Sequence, residues 1–143
     1  TNLDMMKGKP IHLSPPDIII QLDAAKTGGW GATLGSMSTG GQWNQKEKTL
    51  HINVQELLAA ELAIKTFTRE RSIRSIHLQI DNTTALSYLL KMGGTKRLEM
   101  TAISKRSWHY LLTREISRTA EWIPSAENYI ADWESRNTKD SSE

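Results

Sequence analysis

Four carboxylates draw attention because each falls where a regular element meets apolar neighbours. Asp23 closes one apolar run, Ile18-Ile19-Ile20-Gln21-Leu22, and by period-two alternation shares a face with Gln21 and Ile19. Asp81 closes a second run, Ser75-Ile76-His77-Leu78-Gln79-Ile80. Glu56 lies in the first turn of a helical pattern in which Glu56, Ala60, Ala63 and Phe67 line up as one stripe, and that stripe should face a sheet. Asp132 follows Ile130-Ala131 near the end of the chain. Carboxylates gathered at the edge of a core repel one another and are costly to desolvate. A hard divalent cation joining them lets them stay ionised, and magnesium, which takes oxygen ligands and keeps waters, suits such a cluster. Two ions about 3.5–4 Å apart would activate a water and steady the leaving oxygen of a phosphodiester, without a His, Ser or Lys nucleophile.

Each acid also has a structural explanation. Asn53-Val54-Gln55-Glu56 fits a helix capping box, in which Glu56 bonds only a backbone amide. Asp81, before Asn82-Thr83-Thr84, fits a helix cap. Asp23 could close a turn, and Asp132 could be plain surface beside Glu134. Taken singly, each structural explanation is favoured. Two strand-end aspartates combined with an inward helical glutamate are much harder to obtain by chance.

The elements that must position these acids can be read from periodicity. Asp17–Asp23 is an apolar, β-branched strand. Glycines 28, 29, 31 and 35 thread a second strand and a tight hairpin, and Gly40-Gly41 is expected to turn the chain into a third strand near Gln42–Gln45. A strong helix starts at Asn53 and ends near Thr68; a strand follows over Ser75–Asp81. Asn82–Lys91 is a helix stopped by Gly93-Gly94, and Leu98–Thr113 a longer one with Met100, Ile103, Trp108, Leu111 and Leu112 inward. Arg118–Ile123 is the last strand and Asn128–Arg136 a short helix. The order βββ-α-β-α-α-β-α implies an α/β fold, a five-stranded mixed sheet flanked by helices. Residues 1–16, with Pro10, Pro15 and Pro16, read as an entry segment, 17–136 as the domain, and 137–143 as a disordered polar tail.

Composition narrows the function classes. A chain of 143 residues is expected to form one domain. It has no cysteine, which excludes disulfides, thiolate zinc sites and a cysteine nucleophile. Apolar runs are too short for a membrane span or a signal-peptide core, so an intracellular protein without a membrane partner is expected. Net charge is only +2, but the stretch Lys91–Arg118 holds seven basic and two acidic residues. Such a basic arm suits a phosphate-bearing partner, and a solvated helix face explains it equally well.

In that order and in those contexts, the acids and their neighbours resemble a ribonuclease H domain. Leu22-Asp23-Ala24-Ala25 with Gly29-Trp30-Gly31-Ala32 is similar to its first-strand signature, and Asn53-Val54-Gln55-Glu56-Leu57-Leu58-Ala59-Ala60 to its first-helix motif. Ile80-Asp81-Asn82-Thr83-Thr84-Ala85 is similar to its fourth-strand motif, and Ala131-Asp132 with Glu134-Ser135-Arg136 to its last-helix motif. The wording is closer still to ribonuclease H domains of retrotransposon polyproteins, particularly the DIRS type: His51-Ile52-Asn53, Asp81 to Ala85, and Gly93-Gly94-Thr95 have counterparts there. The likeness covers roughly residues 17–136.

That resemblance implies a ribonuclease H-like fold in which Asp23, Glu56, Asp81 and Asp132 bind two Mg2+ ions (Mn2+ substituting) and cut the RNA strand of an RNA–DNA hybrid. It implies fusion to a reverse transcriptase domain on the N-terminal side. Asn53, Asn82 and Thr83 are candidate contacts to hydroxyls or base edges in the wide, shallow minor groove, with capping as the alternative. Lys96, Arg97, Lys105 and Arg106 are expected to hold phosphates, giving salt-sensitive affinity. One departure stands out: many members carry a loop histidine ten residues before the last aspartate, and here Trp122 occupies that position. His77 and Glu127 are possible substitutes for it, although a structural His77 is favoured. Two competing readings remain. One is a hybrid-binding or purely structural domain that has lost its chemistry, which the full set of carboxylates argues against. The other is a strand-transfer enzyme of the integrase–transposase group, disfavoured by the helix glutamate and by Asp rather than Glu at 132.

Overall fold

The computed structural model describes residues 15–90 and 98–124. The expected entry segment (except Pro15 and Pro16), Lys96, Arg97, Glu127, Asp132, the helix Asn128–Arg136 and the polar tail lie outside the described residues. Three strands come first: β1 (Ile18–Ala24), β2 (Gly29–Leu34) and β3 (Met37–Gln42). Two helices follow, a single turn α1 (Gln45–Lys48) and the long α2 (Ile52–Thr68). Then come β4 (Ser75–Ile80), α3 (Thr83–Leu90), α4 (Leu98–Thr113) and β5 (Ser117–Trp122). The five strands form one mixed sheet in the order β3-β2-β1-β4-β5. The pairs β1–β2 and β2–β3 are antiparallel, whereas β1–β4 and β4–β5 are parallel.

Alternation along β4 buries Ile76, Leu78 and Ile80 and leaves Ser75, His77 and Gln79 half-buried, so one face of the sheet carries the core. Ile18, Ile20 and Leu22 of β1 extend that face. Helix α2 lies close over it because its inward positions include the small Ala59, Ala60 and Ala63, closed at the far end by Phe67. Met100, Ile103 and Leu111 of α4 complete the layer. Each large side chain buried there contributes about 1.5–3 kcal/mol relative to exposure.

The structure corrects three readings. The third strand runs over 37–42, not 42–45, and Gly40-Gly41 sit inside it. The chain reverses at Gly35, whose φ of +60° is the left-handed conformation a two-residue hairpin loop needs. The glycine cluster has a different purpose: in the β2–β3 register a Cβ on Gly29 would fall 1.9 Å from the Gly41 carbonyl oxygen, so only glycine fits. Second, Leu112 is 60% exposed, because the inward face of α4 ends at Leu111. Third, the turn α1 was not anticipated. Its capping box, Asn44 accepting from Glu47 N and Glu47 accepting from Asn44 N, is legible as Asn-x-x-Glu but follows no apolar periodicity.

Candidate active site

Parallel pairing of β1 with β4 brings two strand ends side by side, and α2 packs against β1. Asp23 on β1, Glu56 on α2 and Asp81 just after β4 each offer an oxygen, and the three oxygens lie within 4.8 Å of one another. Asp23 and Glu56 are buried, at 5% and 3% exposure, and Asp81 is half-buried. Among the described residues this is the one group of three or more potential metal-ligating acids or histidines at such distances. The capping explanations for Glu56 and Asp81 do not hold. Helix α2 is capped by His51, whose Nδ1 accepts from Asn53 N at 3.0 Å, so Glu56 makes no capping box. Helix α3 is capped by Asn82, whose Oδ1 accepts from Ala85 N at 2.8 Å.

Glu56 is poorly compensated. Oε2 accepts from the Ala24 backbone N–H at 3.2 Å, and Oε1 is buried without a hydrogen-bond partner. Burial pushes its carboxyl well above the usual carboxylate range, and the neighbouring Asp23 and Asp81 push in the same direction. The Ala24 N–H opposes them only in part. An anionic, all-oxygen donor set with a buried oxygen lacking a partner fits a hard divalent cation, which would supply the missing charge. Asp23, Glu56 and Asp81 are the described residues that could hold it.

Around the acids, the Asn pair has a defined orientation. Asn82 spends Oδ1 on the α3 cap, so its Nδ2 must be the donor to Asn53 Oδ1, at 2.9 Å. Asn53 therefore has its amide N–H groups left over to offer a ligand acceptor. Thr83 is exposed at the first turn of α3. Lys105 is exposed on α4. Arg106 is already engaged: its Nε and an Nη bond the two oxygens of Glu61 at 2.9 and 2.7 Å.

His77 sits between strands rather than with the acids, its Nδ1 2.6 Å from Thr119 Oγ1 and its Nε2 2.7 Å from Glu121 Oε2. Trp122 pairs with Ile80, and Ile123 N donates to Ile80 O at 2.9 Å, so the chain leaves β5 beside the residue that precedes Asp81. Trp108 is covered by Arg118, whose guanidinium carbon stands 3.0 Å from the ring centroid. Gln55 and Lys26, which sequence reasoning passes over, and Trp43, which it assigns to packing, tie down the segment after Asp23. The available signal is a second polar residue, Gln55, between the apolar Val54 and the inward Glu56.

No protein-family model matches the sequence, and no curated protein matches it. Solved structures do. A ribonuclease H1 from Halobacterium salinarum NRC-1 superposes with a TM-score of 0.71 at 18% identity, covering 87% of this chain and 98% of its own. LC11-RNase H1, solved in complex with an RNA/DNA hybrid, gives 0.71 at 16% identity over 88% of this chain and 99% of its own. The foamy viral protease–reverse transcriptase, also solved with an RNA/DNA hybrid, gives 0.65 at 13% identity over 96% of this chain and 22% of its own.

The fold is ribonuclease H-like. Within that fold Asp23 lies on the central strand β1, Asp81 just after the neighbouring β4, and Glu56 on the helix packed against β1. No described helix is long and apolar enough to cross a membrane.

Proposed function

We propose that this chain is a divalent-metal-dependent endonuclease that hydrolyses the RNA strand of RNA–DNA hybrids during reverse transcription. The reading places it in a retroelement polyprotein of the DIRS type, behind a reverse transcriptase domain. The observation that carries it is the convergence of Asp23, Glu56 and Asp81 within 4.8 Å. Two of the structural neighbours were solved with an RNA/DNA hybrid, which supports the substrate class.

Asp23, Glu56 and Asp81, with Asp132, would hold two Mg2+ ions, Mn2+ substituting. When bound, such ions activate water and stabilise charge on the scissile phosphate. The chain's own residues supply placement. Glu56 is held by Ala24 N–H, and Asp81 enters at the junction of β4 and α3 that Asn82 caps. The Asn53 amide N–H groups face acceptor atoms of the minor groove, where 2′-hydroxyls distinguish RNA from DNA. Lys105, with Lys96 and Arg97, contacts phosphates; Arg106 joins them only through the guanidinium edge that Glu61 leaves open.

The test compares wild type with Asp81→Asn on RNA–DNA, RNA–RNA and DNA–DNA duplexes of one sequence. Expected are cleavage of RNA in the hybrid alone, dependence on Mg2+ or Mn2+, and loss of cleavage in the variant with hybrid affinity retained. Equal cutting of RNA–RNA and hybrid, or undiminished cutting by Asp81→Asn, rejects the reading. Binding of hybrid with no cleavage by either protein would favour the binding-only domain.

A further inference from the structure

Gln55 is a buried polar residue that the proposed chemistry leaves unexplained. It is fully buried on α2, immediately before Glu56, where an apolar side chain would fill the same volume. Its Nε2 donates to Lys26 O at 3.0 Å and to Glu47 O at 2.9 Å, so both amide hydrogens are spent on backbone carbonyls. Trp43, also buried, donates from Nε1 to Ala25 O at 2.9 Å. The Lys26 ammonium reaches the opposite way, to Lys48 O at 3.0 Å and Leu50 O at 2.6 Å. Two consecutive carbonyls of the segment after Asp23 are thus gripped by buried side chains. The residue just upstream, Ala24, supplies the backbone donor on Glu56 Oε2.

Three carboxylates repel one another when ionised, so nothing in their own charge fixes them in the geometry an ion needs. Geometry ready for an ion must therefore be imposed from behind by neutral groups. We infer that Gln55, assisted by Trp43, is a positioning residue of the Asp23–Glu56–Asp81 site: by fixing Ala24–Lys26 it keeps Glu56 on the Ala24 N–H and so sets divalent-ion affinity. The inference rests on the metal-binding reading of that site.

The probe is Mn2+ alone, titrated into metal-stripped protein and followed by the loss of the free-ion electron paramagnetic resonance signal, with melting temperature measured in parallel. Gln55→Leu keeps the volume and deletes both donors; its Mn2+ dissociation constant should rise about tenfold, as for other groups that orient metal ligands. Trp43→Phe keeps most of the ring and deletes one donor, and the constant should rise about threefold, the scale of a single hydrogen bond. If Gln55 and Trp43 only fill the core, both variants melt lower yet bind Mn2+ as wild type does, and the inference is overturned. Should Gln55→Leu fail to fold, Trp43→Phe decides by the same criterion. A wild-type protein that binds no Mn2+ overturns the metal-binding reading itself, whereas tight wild-type binding with unshifted variants overturns the positioning role alone.

Discussion

Helix α2 carries two buried glutamates five residues apart, and they live in opposite electrostatic worlds. Glu61 is gripped by cations: Arg106 spans both its oxygens at 2.7 and 2.9 Å, and Lys65 stands 3.1 Å away. Burial alone would push the Glu61 carboxyl up, but the hydrogen bonds and charges of Arg106 and Lys65 outweigh it and hold it below its usual value. Glu56, more deeply buried, faces Asp23 and Asp81, and its carboxyl is pushed up instead. The same side chain on the same helix is an element of structure in one place and stored unfavourable charge in the other. Where a fold can compensate a buried carboxylate and does not, the missing charge points to a ligand.

Replacing the two glutamates separately gives the largest contrast. Glu56→Gln should lower hybrid cleavage by on the order of a thousandfold or more, the scale of a lost electrostatic element in an active site. Glu61→Gln should leave cleavage within about threefold of wild type. Steady-state cleavage assays at saturating Mg2+ measure both; equal losses would break the contrast.

Thermal melts after chelation sharpen it. A group whose folded pKa is raised contributes stability below its unfolded pKa and loses it as pH rises through the folded value, so Glu56 should weaken the metal-free fold as pH climbs from the acid range. Glu61, whose folded pKa is lowered, contributes stability that persists above its unfolded pKa and disappears as pH falls through the folded one. Near neutral pH, metal-free Glu56→Gln should therefore melt higher than wild type by roughly 4 °C, corresponding to about 1 kcal/mol. Added Mg2+ should abolish that advantage. A variant that melts lower without metal would show Glu56 to be compensated after all.

The smallest effect belongs to Arg106, which is half exposed and screened by solvent. Arg106→Met should destabilise the fold by about 1 kcal/mol, more than a surface pair and less than a buried one, with hybrid affinity little changed. Denaturant titration and filter binding read the two quantities. The reverse pattern, weaker hybrid binding at unaltered stability, would make phosphate contact, and not the Glu61 pair, the main role of Arg106.

Much of this arrangement was legible residue by residue. Alternation in Ser75–Ile80 and the stripe Glu56, Ala60, Ala63, Phe67 predict a strand and a sheet-facing helix, and both form with those residues inward. The glycines misled, because a glycine needed for close backbone approach, as Gly29 is, looks in sequence like one needed for a turn, as Gly35 is. Sequence points to Arg106 as a phosphate contact only, because its partner Glu61 lies 45 residues away on another helix. The Asn53–Glu56 spacing matches a capping box, yet His51 takes the cap and Glu56 turns to Ala24.

By itself the sequence determined β1, β4 and the long helix α2, and that Asp23, Glu56 and Asp81 stand near their ends, because hydrophobic periodicity is a local property of the chain. Which carboxylate meets a cation and which meets other carboxylates was decided only by tertiary structure. Charge compensation acts over a few ångströms through space, and the parallel pairing of β1 with β4, together with the packing of α2 on β1, sets those distances.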